Sequence, residues 1–221
     1  MKPKTIGVIL VKSNSKRLPG KNMLKFKGYP LWRYQVQQMF GLVDEVHIIA
    51  DENNHTELYL SMPTKKVSQP WHIHIRPTKL MGDEVPHVEL MDWWINTQEE
   101  HSTFVVFQAT NPHFDQDLLR HAIMVFNEEA RHAEGTGKKS LKHSMMSVNP
   151  ATMKYDGNFF IGSTKDRFVD KKWMSNLDTW ICTTNKLNPS ACDIDEWVDY
   201  CIATAVAEGR TYPTPLAVGV Y

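Results

Sequence analysis

The sequence predicts an α/β protein, three layers deep, built on a mostly parallel, doubly wound sheet. Three observations predict it. Short runs of about five apolar residues recur from one end of the chain to the other; several are apolar at consecutive positions rather than alternating; and the segments between them carry helical periodicity. Consecutive apolar positions suit strands covered on both faces, as parallel strands are.

In order, Ile6 to Val11, Val46 to Ala50, Trp71 to Arg76, Phe104 to Gln108, Met145 to Val148, Phe159 to Ile161 and Trp180 to Cys182 read as strands. Between Asp117 and Ala130, Leu118, Ala122, Phe126 and Ala130 recur every four residues with Leu119 and Ile123 beside them, which predicts a helix burying one stripe against the sheet. Leu31 to Phe40 and Val88 to Asn96 read as further helices, and Asp195 to Glu208 as a last one stopped by Gly209. The stretch "AEGTGKKSLKH", Ala133 to His143, reads as a solvated loop. Its "GTGKKS" is not a P-loop, because the place five residues before the GK pair, where that motif needs glycine, holds His132.

Composition limits what such a fold can do. The 221 residues suit one domain spanning 1–221, and no shift in composition marks a seam. Lys plus Arg is 25 and Asp plus Glu is 25, so no global field would hold nucleic acid or an anionic membrane. Cys182, Cys192 and Cys201 are too few and too scattered for a disulfide framework, which predicts reduced thiols and a cytoplasmic protein. No stretch approaches the ~20 apolar residues of a membrane span.

Charge is nevertheless concentrated locally. The first 27 residues hold eight Lys or Arg and no Asp or Glu. Within them "SNSKRLPGKN", Ser13 to Asn22, directly follows the first apolar run, and doubly wound sheets bind ligands where the chain leaves the carboxyl ends of strands. Lys16, Arg17 and Lys21 supply charge for a phosphate chain. Ser13, Asn14, Ser15 and Gly20 allow close approach of the backbone, and Pro19 stiffens the turn. The plainer alternative is a solvated basic loop.

The stretch "VILVKSNSKRLPGKN" resembles the signature of the acylneuraminate cytidylyltransferase (CMP-sialic acid synthetase) family, I-P-A-R-x-G-S-K-R-L-P-G-K-N. The eight residues Ser15 to Asn22 fit it consecutively, whereas Leu10, Val11, Lys12 and Asn14 stand for Pro, Ala, Arg and Gly. Further segments follow in the family's order. "RPTKLMGDE" (Arg76 to Glu84) is similar to R-P-x-x-L-A-x-D, "FQATNP" (Phe107 to Pro112) to L-Q-P-T-S-P, and "YDGNFFI" (Tyr155 to Ile161) to N-G-A-I-Y-I; "CDIDEWVDYCIATAV" (Cys192 to Val206) is similar to the terminal D-I-D segment.

The resemblance implies a Rossmann-like nucleotide-diphospho-sugar transferase fold and a Mg²⁺-dependent transfer of CMP from CTP to a sugar acceptor, with release of pyrophosphate. Carried over residue by residue, it implies a nucleotide site of Lys12, Ser13, Asn14, Ser15, Lys16, Arg17, Lys21, Asn22 and Arg76. Lys12, Lys21, Asp193 and Asp195 would be catalytic, the two aspartates holding Mg²⁺, and Gln108 and Asp156 would face the acceptor. Lys12 keeps the charge of the family's arginine but not its two-pronged donor geometry. Read without the resemblance, Asp195 would cap the helix starting at Glu196.

Between "SVNP" and "YDGNFFI" the chain has only Ala151 to Lys154, where sialic acid enzymes carry a longer acceptor and dimerisation segment, and Asp156 would repel a sugar carboxylate. A smaller or uncharged sugar is the expected acceptor, and a homodimer stays open. The competing reading is a non-catalytic nucleotide-binding protein of the same fold. Among the ten histidines, His72 and His74 of "WHIHIR" share one strand face; with no third ligand in evident register they read as solvent-facing alternation rather than a metal set.

Overall fold

The computed structural model describes residues 4–12, 15–51, 69–82, 84–98, 102–113, 116–136, 144–149, 154–164, 179–183 and 194–209. The first strand, β1 (Thr5–Val11), is almost wholly buried and leads into the basic loop. After a 3₁₀ turn at Lys21–Met23 come two short strands, β2 (Lys25–Phe26) and β3 (Tyr29–Pro30). Lys27 and Gly28 join them, both with positive φ (47° and 85°), the backbone that a two-residue hairpin with right-handed strand twist requires. Next are α1 (Leu31–Met39), β4 (Glu45–Ala50), β5 (Trp71–Ile75) and α2 (His87–Ile95). Then follow β6 (Thr103–Gln108), α3 (Gln116–Thr136), β7 (Ser144–Asn149), β8 (Lys154–Ser163), β9 (Thr179–Thr183) and α4 (Trp197–Ala207).

Seven strands form the main sheet in the order β5-β4-β1-β6-β8-β7-β9. β5, β4, β1 and β6 pair in parallel; β8 is antiparallel to both β6 and β7, and β9 is parallel to β7. The sheet is therefore mostly parallel, with β8 reversed. Six of the seven predicted strands fall within these, and the seventh, Trp71 to Arg76, overruns β5 by one residue, Arg76.

Side chains alternate between the faces of β1. Ile9 and Val11 join Trp32, Val36 and Met39 of α1 and Leu119, Ala122 and Phe126 of α3. Ile6 and Val8 join Leu90, Met91 and Trp94 of α2 on the opposite face. At Gly162 of β8 a Cβ would stand 2.4 Å from the Phe104 ring, so no larger residue fits beside that core phenylalanine.

Two helix ends differ from the sequence reading. α3 continues through Ala133 to Thr136, into the stretch read as loop, because its polar last turn needs no core to sustain backbone bonds already propagating. α4 begins at Trp197 with Glu196, not Asp195, as its N-cap. Among the described residues no helix is long and apolar enough to cross a membrane.

Candidate active site

The order of the sheet sets the location. From β1 the chain moves outward through β4 to β5, then returns to place β6 on the other side of β1, so the strand order reverses between β1 and β6. A crevice outside the carboxyl ends of these two strands is where such sheets hold ligands. The basic loop leaves β1 there and the "FQATNP" turn leaves β6.

Hydrogen bonds fix the loop's ends. The Asn22 side-chain amide donates to the Lys12 carbonyl (2.9 Å), joining the two ends of the Lys12 to Asn22 segment. One residue upstream, Arg76 Nη2 donates to the Val11 carbonyl (3.3 Å) while Nη1 faces Asp51 Oδ1 at 3.2 Å. This guanidinium is almost wholly buried (1% exposed), and its Nε has no hydrogen-bond partner among the described residues. Lys21 N donates to the Leu18 carbonyl (3.2 Å), and Gly20 adopts φ 66° ahead of the 3₁₀ turn.

The loop also carries one apolar residue, Leu18, and it anchors the far end of the chain. Leu18, Phe26, Leu31, Ala203 and the fully buried Ile194 form a small core joining loop, hairpin, α1 and α4. Ile194 N donates to the Thr110 carbonyl in the turn after β6 (2.9 Å). Burying an isoleucine contributes about 1.5–3 kcal/mol, and here it also fixes where the next residue sits.

That residue is Asp195. Its Oδ1 lies 3.1 Å from Lys21 Nζ and its Oδ2 2.6 Å from Arg17 Nη2, and Lys21 Nζ also reaches the Ile194 carbonyl at 3.2 Å. Asp195 is free to face these cations because Asp199 serves the helix start: its Oδ2 accepts from the backbone N–H of Asp195 (3.0 Å) and of Glu196 (2.8 Å). Asp199 and Glu196 form a reciprocal capping box, so the capping role considered for Asp195 falls to them.

Of the other predicted residues, Lys16 points outward to Glu84 (3.2 Å). Gln108 is half-buried at the end of β6, in contact with the Thr110 hydroxyl (3.4 Å). Lys12 and Ser15 lie on the loop, both half-buried. Asp156 belongs to β8, but its side chain, like Ser13, Asn14 and Asp193 entirely, lies outside the described residues. Two contributors were missed. The buried Gln35 of α1 donates to the Asn111 carbonyl (2.8 Å), holding the turn after β6. His87, first residue of α2, sits within the field of Lys12, Arg76 and Lys21; desolvation, then those cations, push its pKa below the ordinary imidazole range. Its only sequence signal is its place at the start of a helix following the "RPTKLMGDE" segment.

Comparisons with known proteins bear on the family and the fold. A family model described as a cytidylyltransferase matches residues 6–158, from the start of β1 into β8. No curated protein sequence matches the chain. A cytidylyltransferase from Leptospira borgpetersenii superposes with TM-score 0.65 at 12% identity, covering 96% of this chain and 89% of that one. A 4-diphosphocytidyl-2C-methyl-D-erythritol synthase from Anaerococcus prevotii gives 0.61 at 9%, covering 93% and 96%. Rv0371c from Mycobacterium tuberculosis, in complex with manganese, gives 0.59 at 13%, covering 91% and 98%. At these identities the likeness concerns the fold.

Proposed function

The chain belongs to the cytidylyltransferase family, and from that premise we propose that it activates a sugar with CTP. A hydroxyl of the acceptor attacks the α-phosphorus; its O–P bond forms as the bond to the leaving group breaks, pyrophosphate departs and the hydroxyl proton is released. The observation that carries this reading is the meeting of Arg17 and Lys21 with Asp195, for Lys21 a contact across 174 positions of sequence, at the strand-order reversal.

Asp195 turns its two carboxylate oxygens to Lys21 and Arg17 with its side chain 30% exposed, and its own backbone N–H is already satisfied. An oxygen donor of this kind suits a hard divalent cation. Asp195, with Asp193 beside it in sequence, would hold Mg²⁺, which when bound neutralises phosphate charge and acidifies the attacking hydroxyl. The manganese complex of Rv0371c supports divalent metal use in this fold.

The chain's own residues account for positioning. The Arg17–Asp195 pair is solvated, with side chains 63% and 30% exposed, and such pairs contribute about 0–1 kcal/mol. Exchanging Asp195 for phosphate oxygens therefore costs Arg17 little, while charge-assisted bonds to phosphate are stronger than neutral ones. Lys12 extends from backbone held on both sides, by Arg76 at Val11 and by Asn22 at its own carbonyl, so its flexible side chain starts from a fixed point at the strand end. Positioning and electrostatic stabilisation suffice for phosphoryl transfer, which asks little covalent chemistry of the protein.

For the acceptor we favour a sugar smaller or less charged than sialic acid, on the strength of Asp156 and the short Ala151 to Lys154 connection. The test is pyrophosphate release from CTP, UTP, ATP and GTP with Mg²⁺ across a panel of neutral, phosphorylated and acidic sugars. CTP-dependent release with a neutral or small acceptor is expected. Silence with every nucleotide and acceptor, combined with a CTP-induced rise in Tm, would identify a nucleotide-binding protein instead.

A further inference from the structure

The opposite ends of the same strands carry a second constellation. At the amino end of β4, Glu45 and His47 lie on the face covered by α2, and the parallel register sets His47 beside His72 and Ile49 beside His74 of β5. His72 faces solvent as the sequence suggests, but the expectation that no third ligand stands in register is corrected: strand pairing brings Glu45 and His47 beside it. Imidazole centroids stand 4.9 Å apart for His47 and His72 and 4.7 Å for His47 and His74. His47 Nε2 is 3.0 Å from Glu45 Oε1, and His72 Nε2 is 3.7 Å from Glu45 Oε2.

We propose that Glu45, His47 and His72 form a binding site for a borderline-soft divalent cation of the Zn²⁺ type, with His74 as the partner that orients His47. One ligand atom from each of the three lies within 4.8 Å of the others. Tetrahedral ligands at Zn²⁺ bond lengths of about 2.0–2.1 Å stand about 3.3 Å apart, and the nitrogen–oxygen separations, 3.0 Å from His47 to Glu45 Oε1 and 3.7 Å from His72 to Oε2, are of that order. Two imidazoles and one carboxylate leave a fourth position open, on the side where the His72 side chain is 52% exposed. Imidazole donors favour Zn²⁺, Ni²⁺ or Cu²⁺ over Mg²⁺, so this site differs in chemistry from the oxygen site at Asp195. It also stands apart from it: six residues of β4 at about 3.3 Å each separate Glu45 from Asp51 by about 20 Å.

The proton inventory closes. Trp94 Nε1–H can only donate, and it lies 3.1 Å from His47 Nδ1, so without metal that nitrogen is an acceptor and Nε2 carries the proton directed at Glu45. Binding at Nε2 moves this proton to Nδ1, where it is donated to His74 Nε2, 3.0 Å away. His74 shifts its own proton to Nδ1, Trp94 loses its acceptor, and Lys4 Nζ, 2.7 Å from Glu45 Oε2, yields to the cation. No net proton is released. The indole is consequently a built-in reporter.

The test is calorimetric and spectroscopic titration of the full-length, EDTA-treated protein with Zn²⁺ and Co²⁺. One equivalent is expected, with a Co²⁺ visible absorption band of tetrahedral type, a rise in Tm and a tryptophan fluorescence change that disappears in Trp94→Phe. His72→Ala, on an exposed ring, should weaken binding at least about tenfold and leave CTP turnover unchanged. Glu45→Gln should weaken binding as much, and Asp195→Asn should leave it intact. Absence of Zn²⁺ binding by the wild-type protein, or affinity unaltered by both His72→Ala and Glu45→Gln, would overturn the proposal. Neither result depends on the nucleotide reading.

Discussion

The carboxyl end of the β1, β4 and β5 group gathers Lys12, Arg76 and Asp51, with Lys21 and Asp195 brought in by loops, whereas the amino end gathers Glu45, His47 and His72 from the strands themselves. The first is made of ammonium, guanidinium and carboxylate groups suited to phosphate and hard cations; the second centres on imidazoles. Loops can be drawn together from distant parts of a chain, which gives the carboxyl end its range of charges. Strands offer only what their register aligns. One sheet can thus present two chemistries at its two rims with little interference.

The comparison is tested most severely at Arg76. Arg76→Ala removes the buried guanidinium that faces Asp51 and releases the Val11 carbonyl, so urea denaturation should show a loss of about 3–5 kcal/mol. A loss below about 1 kcal/mol would show that the strand exit does not depend on that pair. Lys21→Ala should cost about 10²–10³-fold in kcat for CTP-dependent pyrophosphate release, as removal of a charge-stabilising donor does, with Zn²⁺ binding unchanged. If both activities fell together, the two rims would not be separate.

Acid should discriminate between them. Desolvation foremost, with the neighbouring His74, lowers the His47 pKa to about 4 from an ordinary 6.5, while Glu45 opposes the shift and His72 adds to it. The His74 pKa is also lowered, chiefly by burial. Because the folded pKa is the lower, the unfolded chain takes up more protons between pH 6.5 and about 4. In EDTA, stability should be full above that window and fall as the pH drops through it; His47→Gln should flatten the profile, and an unchanged slope would show that burial of His47 does not govern it. The smallest effect is expected at Lys16, whose contact with Glu84 joins side chains 74% and 93% exposed. Lys16→Ala should alter Tm-derived stability by less than about 0.5 kcal/mol, leaving KM for CTP as the sensitive readout.

Much of this was legible in the sequence, for identifiable reasons. Strands buried on both faces must be apolar throughout, and that signal placed all seven predicted strands. The β2–β3 hairpin escaped because two residues per strand carry no period, leaving Gly28 as its sole trace. The basic loop was visible as composition, and the resemblance set its cations and Asp195 in one site; its closure by Asn22 was not legible, since a side-chain bond back to the Lys12 carbonyl exists only once the loop has folded. Asp199 took the capping role considered for Asp195 because a side chain at the third helical position can reach back to two N–H groups at once. Glu45 and His47 were passed over because pairing of residue 47 with residue 72 is a fact of register, which no local pattern encodes.

The stitch between Asn22 and Lys12 gives the first segment after β1 a fixed perimeter. A ring of backbone held at its neck can change shape inside while its attachment to the strand stays constant. The exposed positions between the two ends, Lys16 and Pro19, are therefore open to exchange, so altered substrate preference could evolve there without refolding the protein, provided that Leu18 and the asparagine at the neck are kept.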